Sequence, residues 1–563
     1  MSGSELRREG PAGPDEVGQQ RVGADRRRFA VVGIIVASVL FTSWYAGAEP
    51  SRLGDTDGLS SMSEMVSALF SPDLSADFLA RIGKLALESL LIGALGMFFA
   101  LCIGIVLAIA AVRFPSIPDA PDQRRWPQLA VAALRSGSRG ILALFRSVPE
   151  IVWAFLFVRI FGLGPGPAVF AIAITFGGII GKLFAELLEA TDPEPARALR
   201  TAGASWFAVF MYGMLPQVRS QWVSYALFRL ECAIRSASIL GVVGAGGLGA
   251  EIDLSIRYFQ YPKLATALLA VLAYVIALEL LSITLRKLPS IWPTLLFAIG
   301  AFAGVLWLDI PWRELYASES LAQAGAFIRG FAEPTMDSGF LASTVRLTLI
   351  TVAMAWCSTI VAGAIAFVLA PLSATTFTIR GYLDDAPTGT GVTRWLMAAL
   401  IVPVRLTLQI SRALPELVWA LLFVLWVGPG PTAGILALTV HTVGILGRLY
   451  SDVLEEAEPA PLRVIEASGA SRFARYLYGA LPQAAGRILA FTLFRFEVNV
   501  RAAAMVGFVG AGGLGDALHT ALSLFHMRDL ATLLMVTLAV VLVVDAVGDR
   551  VRTRVLRAAG RRA

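Results

Sequence analysis

Long apolar runs, broken by short polar segments rich in arginine, recur along this chain of 563 residues. A helical run of about 20 residues crosses a hydrocarbon core of roughly 30 Å. Such runs fall near 29–47, 85–112, 148–162, 167–188, 216–240 and 263–285, and six similar ones near 291–309, 341–370, 413–427, 431–452, 482–506 and 530–547. The pattern predicts an all-α polytopic membrane protein with twelve spans, six in each half. The runs near 148–162 and 413–427 are short. Each opens with Pro-Glu (Pro149-Glu150, Pro415-Glu416) and ends at Gly-Pro-Gly-Pro (164–167, 428–431). Proline in a first helical turn gives up no hydrogen bond and Gly-Pro clusters break a chain sharply, so both are expected to be helices with hard stops at each end.

The two halves repeat one another. ALRTAGASWFAVFMYGMLPQ at 198–217 returns as VIEASGASRFARYLYGALPQ at 464–483, and Gly203 and Gly469, Pro149 and Pro415, and Gly241 and Gly507 all lie 266 residues apart. Solenoid repeats run roughly 20 to 50 residues, so this is a duplicated domain. The expected division is a tail at 1–28, one repeat at 29–287, a second at 288–549 and a basic tail at 550–563. An even number of spans per half sets the repeats the same way up, around one central path, as in a homodimer.

Composition agrees with a bilayer as solvent. Hydrophobic residues make up 56% and charged residues 16%, and the mean hydropathy is +0.71, more apolar surface than a water-soluble core hides. The pI near 9.4 would suit a nucleic-acid partner. The basic residues instead gather between the spans, as the positive-inside rule explains, so lipid and not nucleic acid is the expected surroundings. The N-terminus, the 113–146 loop (Arg113, Arg124, Arg125, Arg135, Arg139, Arg146) and the tail (Arg550, Arg552, Arg554, Arg557, Arg561, Arg562) are read as cytoplasmic. Arg26–Arg28 before Phe29–Tyr45, with Ala46-Gly47-Ala48 after it, imitate a signal peptide. An equivalent run at 291–308, where no signal peptide could stand, favours a membrane helix for both. Cys102, Cys232 and Cys357 sit singly in apolar runs and suggest neither disulfides nor a zinc site.

Between the fourth and fifth runs each half turns polar, at Glu189–Arg197 and Glu455–Arg463. Gly203 with Ala204 and Ser205, and Gly469 with Ala470 and Ser471, would let two short helices meet or a partner surface come close. Leu215-Pro216-Gln217 and Leu481-Pro482-Gln483 follow at one fixed offset. In these segments the chain resembles the inner-membrane permease subunits of ATP-binding-cassette importers, and most closely the phosphonate, phosphite and phosphate branch. Further matching stretches are Pro149–Trp153, Gly181–Glu186, Phe228–Glu231 with Arg235, Val243–Gly249, Pro415–Trp419, Gly447-Arg448, Phe494–Arg501 and Val509–Gly515. The resemblance implies a type I ABC importer permease fold in a bacterial inner membrane. It also implies two copies of a cytoplasmic ATPase docked at 189–217 and 455–483, and an external substrate-binding protein. ATP and Mg would bind the ATPase, leaving no cofactor or metal in this chain. Two departures stand out: the family's glutamate six residues before the motif glycine is Arg197 here and Arg463 in the second copy, and two permease units are fused.

Two glycine-rich lookalikes are set aside. Gly178–Leu183 resembles a phosphate loop but lacks Ser or Thr after Lys182. Gly244, Gly246, Gly247 and Gly249, with their counterparts Gly510, Gly512, Gly513 and Gly515, satisfy a dinucleotide fingerprint outside any strand-turn-helix unit. Both are read as flexible elements near an external gate.

Charges inside the fifth run of each half complete the candidate chemistry. A charge at mid-bilayer costs roughly 2.5–3.5 kcal/mol on insertion scales, so such groups face each other or a wet path. Glu231 with Arg235 and Glu497 with Arg501 are spaced i, i+4 with Glu first, suited to intrahelical ion pairs. Arg229 and Arg495 point elsewhere, either to a neighbouring helix or to an anion at the two-fold axis, where a guanidinium fork matches oxyanion oxygens. With Asn499 these residues form the candidate translocation path. Lys182 with Glu186 and Arg448 with Asp452 are further i, i+4 pairs, expected to hold the fourth run against its neighbours. His441 has no counterpart, and His519 and His526 are placed in an external loop, with no metal or catalytic constellation. The competing reading is an ion-gradient-driven secondary transporter of small anions, which would gain nothing from two identical cytoplasmic knobs.

Overall fold

In the computed structural model, residue 30 and residues 33–112, 125–285, 287–288, 291–310, 312, 317–374 and 391–560 are described. The first half runs α1 (Gly33–Tyr45), α2 (Thr56–Leu69), α3 (Ala76–Ala111), α4 (Arg125–Ser147), α5 (Glu150–Phe161), α6 (Pro165–Glu189), α7 (Pro193–Thr201), α8 (Leu215–Leu240), α9 (Leu248–Arg257) and α10 (Tyr261–Leu285). The second half repeats the order as α11 (Ile291–Trp307), α12 (Ser318–Ala332), α13 (Ser338–Ser373), α14 (Gly391–Ala413), α15 (Glu416–Val427), α16 (Pro431–Glu455), α17 (Pro459–Ala467), α18 (Leu481–Val506), α19 (Gly513–Ser523) and α20 (Met527–Gly560).

The expected six spans per half are kept when three bent helix pairs and the two shorter apolar helices Gly33–Tyr45 and Trp292–Trp307 are counted with the unbroken ones. Among the described residues seven helical segments are long and apolar enough to cross alone, and ten if three bent pairs each count as one span. The runs near 148–162 and 413–427 do not cross by themselves. They are α5 and α15, the outer arms of pairs in which α4 turns into α5 by 91° and α14 into α15 by 96°. Pro149 and Pro415 cap these arms in extended backbone, and Gly162 (φ +85°) and Gly428 (φ +77°) end them, so the hard stops are present. Most of the expected 113–146 loop is α4, and the basic tail continues α20 as helix to Gly560. Arg113, Arg124, Arg561, Arg562 and the tail 1–28 lie outside the described residues.

Between lipid-facing helices there is no hydrophobic drive, so close packing of small residues holds them together. Gly104 of α3 meets α6 in this way: a Cβ there would lie 3.0 Å from the Gly177 carbonyl oxygen and 3.2 Å from the Gly181 nitrogen. The phosphate-loop lookalike is therefore unbroken helix packed on its neighbours, and a Cβ at Gly178 would lie 2.8 Å from the Arg146 nitrogen of α4. Arg139 of α4 donates to the Ala111 carbonyl at the end of α3 (3.1 Å) and pairs with Glu189 at the end of α6 (2.5 Å). Arg405 repeats this on Ser373 (2.8 Å) and Glu455 (3.2 Å). Lys182–Glu186 (3.6 Å) and Arg448–Asp452 (3.0 Å) do form, but along one helix, so it is Arg139 and Arg405 that bind neighbours together.

The halves meet symmetrically. Arg146 of α4 pairs with Asp545 of α20 at 2.6 Å, and Arg412 of α14 with Glu279 of α10 at 2.7 Å. Each partner of one pair lies 266 residues from its counterpart in the other, as an isologous contact requires. One apolar core crosses this seam, joining Ile151 and Leu156 to Leu417, Met505, Phe508 and Leu518.

Candidate functional site

The repeated peptide folds into a closed loop whose residues have separable jobs. Asp192 caps α7 by accepting from the Glu194 N–H (3.0 Å), and Pro193 occupies the first turn. At its end Gly203 (φ +82°) donates to the Arg200 carbonyl and Ala204 to the Leu199 carbonyl, both at 3.0 Å. This is the two-bond C-terminal stop that favours glycine. Gly469 (φ +78°) makes the first of these bonds, to the Glu466 carbonyl at 2.8 Å. Ser205 and Ser471 then cap the next turn, accepting from Ala208 (3.3 Å) and Ala474 (3.2 Å). Gly-Ala-Ser thus reads as stop, bond and restart.

Gly203 and Gly469 do not bring helices together, since a Cβ on either would meet nothing within 4 Å. Close approach belongs to Gly213 and Gly479. A Cβ on Gly213 would lie 3.1 Å from the Ala196 Cα of α7, and one on Gly479 3.2 Å from the Ile465 Cδ1 of α17.

Pro216 and Pro482 lack the N–H that would continue a helix. Just before each, the chain widens into a π turn in which Leu215 donates to Phe210, and Leu481 to Tyr476, five residues back. Gln217 then closes the loop, accepting from the Asp192 N–H (3.1 Å) and donating to the Asp192 (3.2 Å) and Gly213 (2.7 Å) carbonyls. Gln483 closes the other on Glu458 (2.9 and 3.5 Å) and Gly479 (3.2 Å). Sequence reasoning quoted both glutamines but assigned them no role, although their recurrence at one offset was the available signal. Arg197 and Arg463 are exposed on α7 and α17, whose opposite faces bury Ala196 and Leu462. Trp206, Phe207, Phe473 and Tyr478 are exposed large aromatics beside them.

The candidate path residues make unlike contacts in the two halves. Arg235 pairs with Glu231 at 3.3 Å, as expected. Glu497 does not pair with Arg501: its partner is Arg552 of α20, at 3.6 Å. Arg501 instead lies within electrostatic reach of Asp545 and Arg146 at the seam. Arg229 donates to the Tyr225 hydroxyl (2.7 Å) and lies over the Tyr225 and Phe228 rings. Arg495 is buried and donates to Thr442 (3.4 Å). Asn499, fully buried, bridges Thr359 (2.8 Å) and Thr442 (3.0 Å). The matching contact in the first half is apolar, made of Ala233, Met97 and Phe176.

Glu150 and Glu416, named only as helix starts in the sequence, belong to this charged centre. Ser236 donates to Glu150 (2.8 Å), and His441 faces Glu416 (3.3 Å) and the Leu414 carbonyl (3.0 Å). Each carboxylate begins a short helix, α5 or α15, where the positive end of the helix dipole favours it.

The glycine-rich segments are clamped rather than flexible. Gly164 donates to the Gly244 carbonyl (3.1 Å) and Gly430 to that of Gly510 (2.8 Å), tying each segment to a Gly-Pro-Gly-Pro turn. Leu248 and Leu514 donate to Ser89 (3.0 Å) and Thr351 (2.8 Å). Gly244, Gly246, Gly247, Gly510, Gly512 and Gly513 all have φ between +73° and +91°, which is why glycines recur there. Gly249 and Gly515 are needed for contact. A methyl at Gly249 would lie 2.8 Å from the Ser238 and Ile239 carbonyl oxygens, backbone that cannot yield. Gly249→Ala is therefore expected to cut the yield of folded protein sharply, while Gly33→Ala, with nothing within 4 Å, leaves it unchanged. Size-exclusion profiles in detergent compare the two, and equal yields would mean that the segment can relax.

His519 lies within α19 and not in a loop, stacked on Phe155 with centroids 5.2 Å apart. No group of three or more metal-ligating side chains occurs among the described residues.

Comparison with known proteins follows the same division into halves. The family described as binding-protein-dependent transport system inner membrane component matches residues 130–288 and 388–559. The chain is 29% identical over 535 residues to the phosphate-import permease protein PhnE of Mycolicibacterium smegmatis, covering 92% of this chain and 93% of that protein. It is 33% identical over 262 residues to the phosphite transport system permease protein PtxC of Stutzerimonas stutzeri, covering 46% and 89%. A chain of the MetNI methionine ABC transporter in an inward-facing conformation aligns at 21% identity and TM-score 0.32, over 38% of this chain and 97% of its own. With one match in each repeat and more than half the chain matched, this protein belongs to that family, as a fused two-unit, multi-pass permease of an ATP-binding-cassette importer that works with an ATPase and a substrate-binding protein.

Proposed function

We propose that this permease imports phosphonate, phosphite or phosphate oxyanions, driven by two copies of one ATPase docked at the α7 and α17 loops. The observation that carries the docking reading is the matched stitching of those loops, with Gln217 and Gln483 holding each short helix to the membrane helix that follows it. A push on α7 reaches α8 through hydrogen bonds and the Gly213 contact, not through a slack linker. The full-length likeness to a permease named for phosphate import supports the substrate class. In this reading ATP and Mg bind the ATPase, both termini are cytoplasmic, and an external binding protein meets the face carrying the glycine-rich segments. The apolar seam at Leu156, Leu417 and Phe508 would separate that face from the charged centre until the halves move.

The test is the native mass of the complex purified through this chain. Two additional copies of one ATPase are expected. A bare chain that accumulates phosphate in vesicles without ATP would overturn the reading in favour of a secondary transporter.

A further inference from the structure

Arg159, in the last turn of α5, is held differently from every other cation described above. Its guanidinium lies over the Phe155 ring (5.2 Å) and the Phe525 ring (5.0 Å), and among the described residues it makes no hydrogen bond or ion pair. Stacking uses the face of a guanidinium and leaves its N–H donors free around the edge, the geometry that grips an oxyanion with two parallel bonds. His519 lies on the other partner ring, Phe155, and Arg159 and Arg257 both bear on it electrostatically. The carboxylates nearby are Asp516, which also acts on His519, and Asp253, which is committed to Arg257 at 2.6 Å. Arg159 lies three residues before Gly162, at the turn bonded to Gly244, and α6 runs from that turn to the first docking loop, so Arg159 sits at the opposite end of α6.

The cluster has no twin. At the positions 266 residues away Arg159 becomes Leu425, Phe155 becomes Leu421 and His519 answers to Asp253. Leu421 and Leu425 pack with Leu248, Ile252 and Ile256 as plain apolar contact. Phe525 does have a twin in Phe259, and both hold positive φ (+57° and +54°), a strained conformation for an aromatic residue. Among the described residues, only the second half places that ring against a cation.

We infer that Arg159, backed by Phe155 and Phe525 and flanked by His519 and Arg257, is a single external anion site that takes a tetrahedral oxyanion from the binding protein before it enters the path. One ion per cycle needs one such site, and the asymmetry supplies it. The inference rests on the import reading above.

The test uses the complete complex with its ATPase and binding protein in proteoliposomes, with inorganic phosphate and methylphosphonate as probes. Arg159→Leu installs the residue of the other half. Anion uptake is expected to fall about tenfold or more, the loss of one charge-assisted partner, while ATP hydrolysis remains stimulated by the binding protein. Arg159→Lys is expected to recover part of the uptake. Unchanged uptake per ATP in Arg159→Leu would overturn the site. So would equal damage in both variants with lowered thermal stability, because Arg159 would then act as packing. A wild-type complex that imports neither anion would overturn the import reading and this inference with it, and that control is read first.

Discussion

Valine at both Gly203 and Gly469 is expected to abolish ATP-driven uptake while leaving the chain inserted and folded. A β-branched residue at φ near +80° is a steric outlier, at a cost on the order of 1–3 kcal/mol per site. Room is not the obstacle, because a side chain at either position would project into open space. The turn would have to open, breaking the bonds to Arg200 and Glu466 that fix the angle between each short helix and the Ser-capped turn after it. Asparagine visits the left-handed region readily, and the double asparagine variant is expected to keep most of the activity. Uptake and ATP hydrolysis should be read together in reconstituted complex. Wild-type uptake in the double valine variant would remove the docking assignment.

Arg146→Leu is expected to be the most damaging single change at the seam. Arg146 and Asp545 are largely buried, with side-chain exposures of 13% and 15%, against 25% and 28% for Arg412 and Glu279. Deleting one member of a buried pair strands the other, at roughly 3–5 kcal/mol in well-enclosed cases. Reduced thermal stability in detergent and loss of most uptake should accompany the substitution, with Arg412→Leu milder. Exchanging the charges, Arg146→Asp with Asp545→Arg, should restore much of the stability. If the exchange is no better than the single variant, attraction between these two groups is not what holds the seam.

Much of this was legible in the chain because duplication is a local signal. The 266-residue offset located the repeated peptide twice, and small residues with a proline at fixed spacing told where the chain must turn. What stayed hidden was any contact between segments far apart. Short apolar runs after Pro149 and Pro415 looked like spans, since hydropathy carries no angle. Only packing reveals that α5 and α15 turn by more than 90° from their partners. Glu497 looked bound to Arg501 because i, i+4 spacing is visible in a sequence. Its actual partner, Arg552, is 55 positions along the chain. Gly244 and Gly510 looked flexible for the same reason: glycine in a sequence reads as freedom, and in the fold each holds a left-handed turn hydrogen-bonded to a Gly-Pro-Gly-Pro segment.

The Asn499 contact with Thr359 and Thr442, whose counterparts in the first half are Ala233, Met97 and Phe176, has a consequence for heredity. A permease that pairs with its own copy records every substitution in both halves of the assembly, so a change that suits one half must be tolerated by the other. In this chain each half is written separately, and a buried amide can be tried in one while the other keeps its methyl groups.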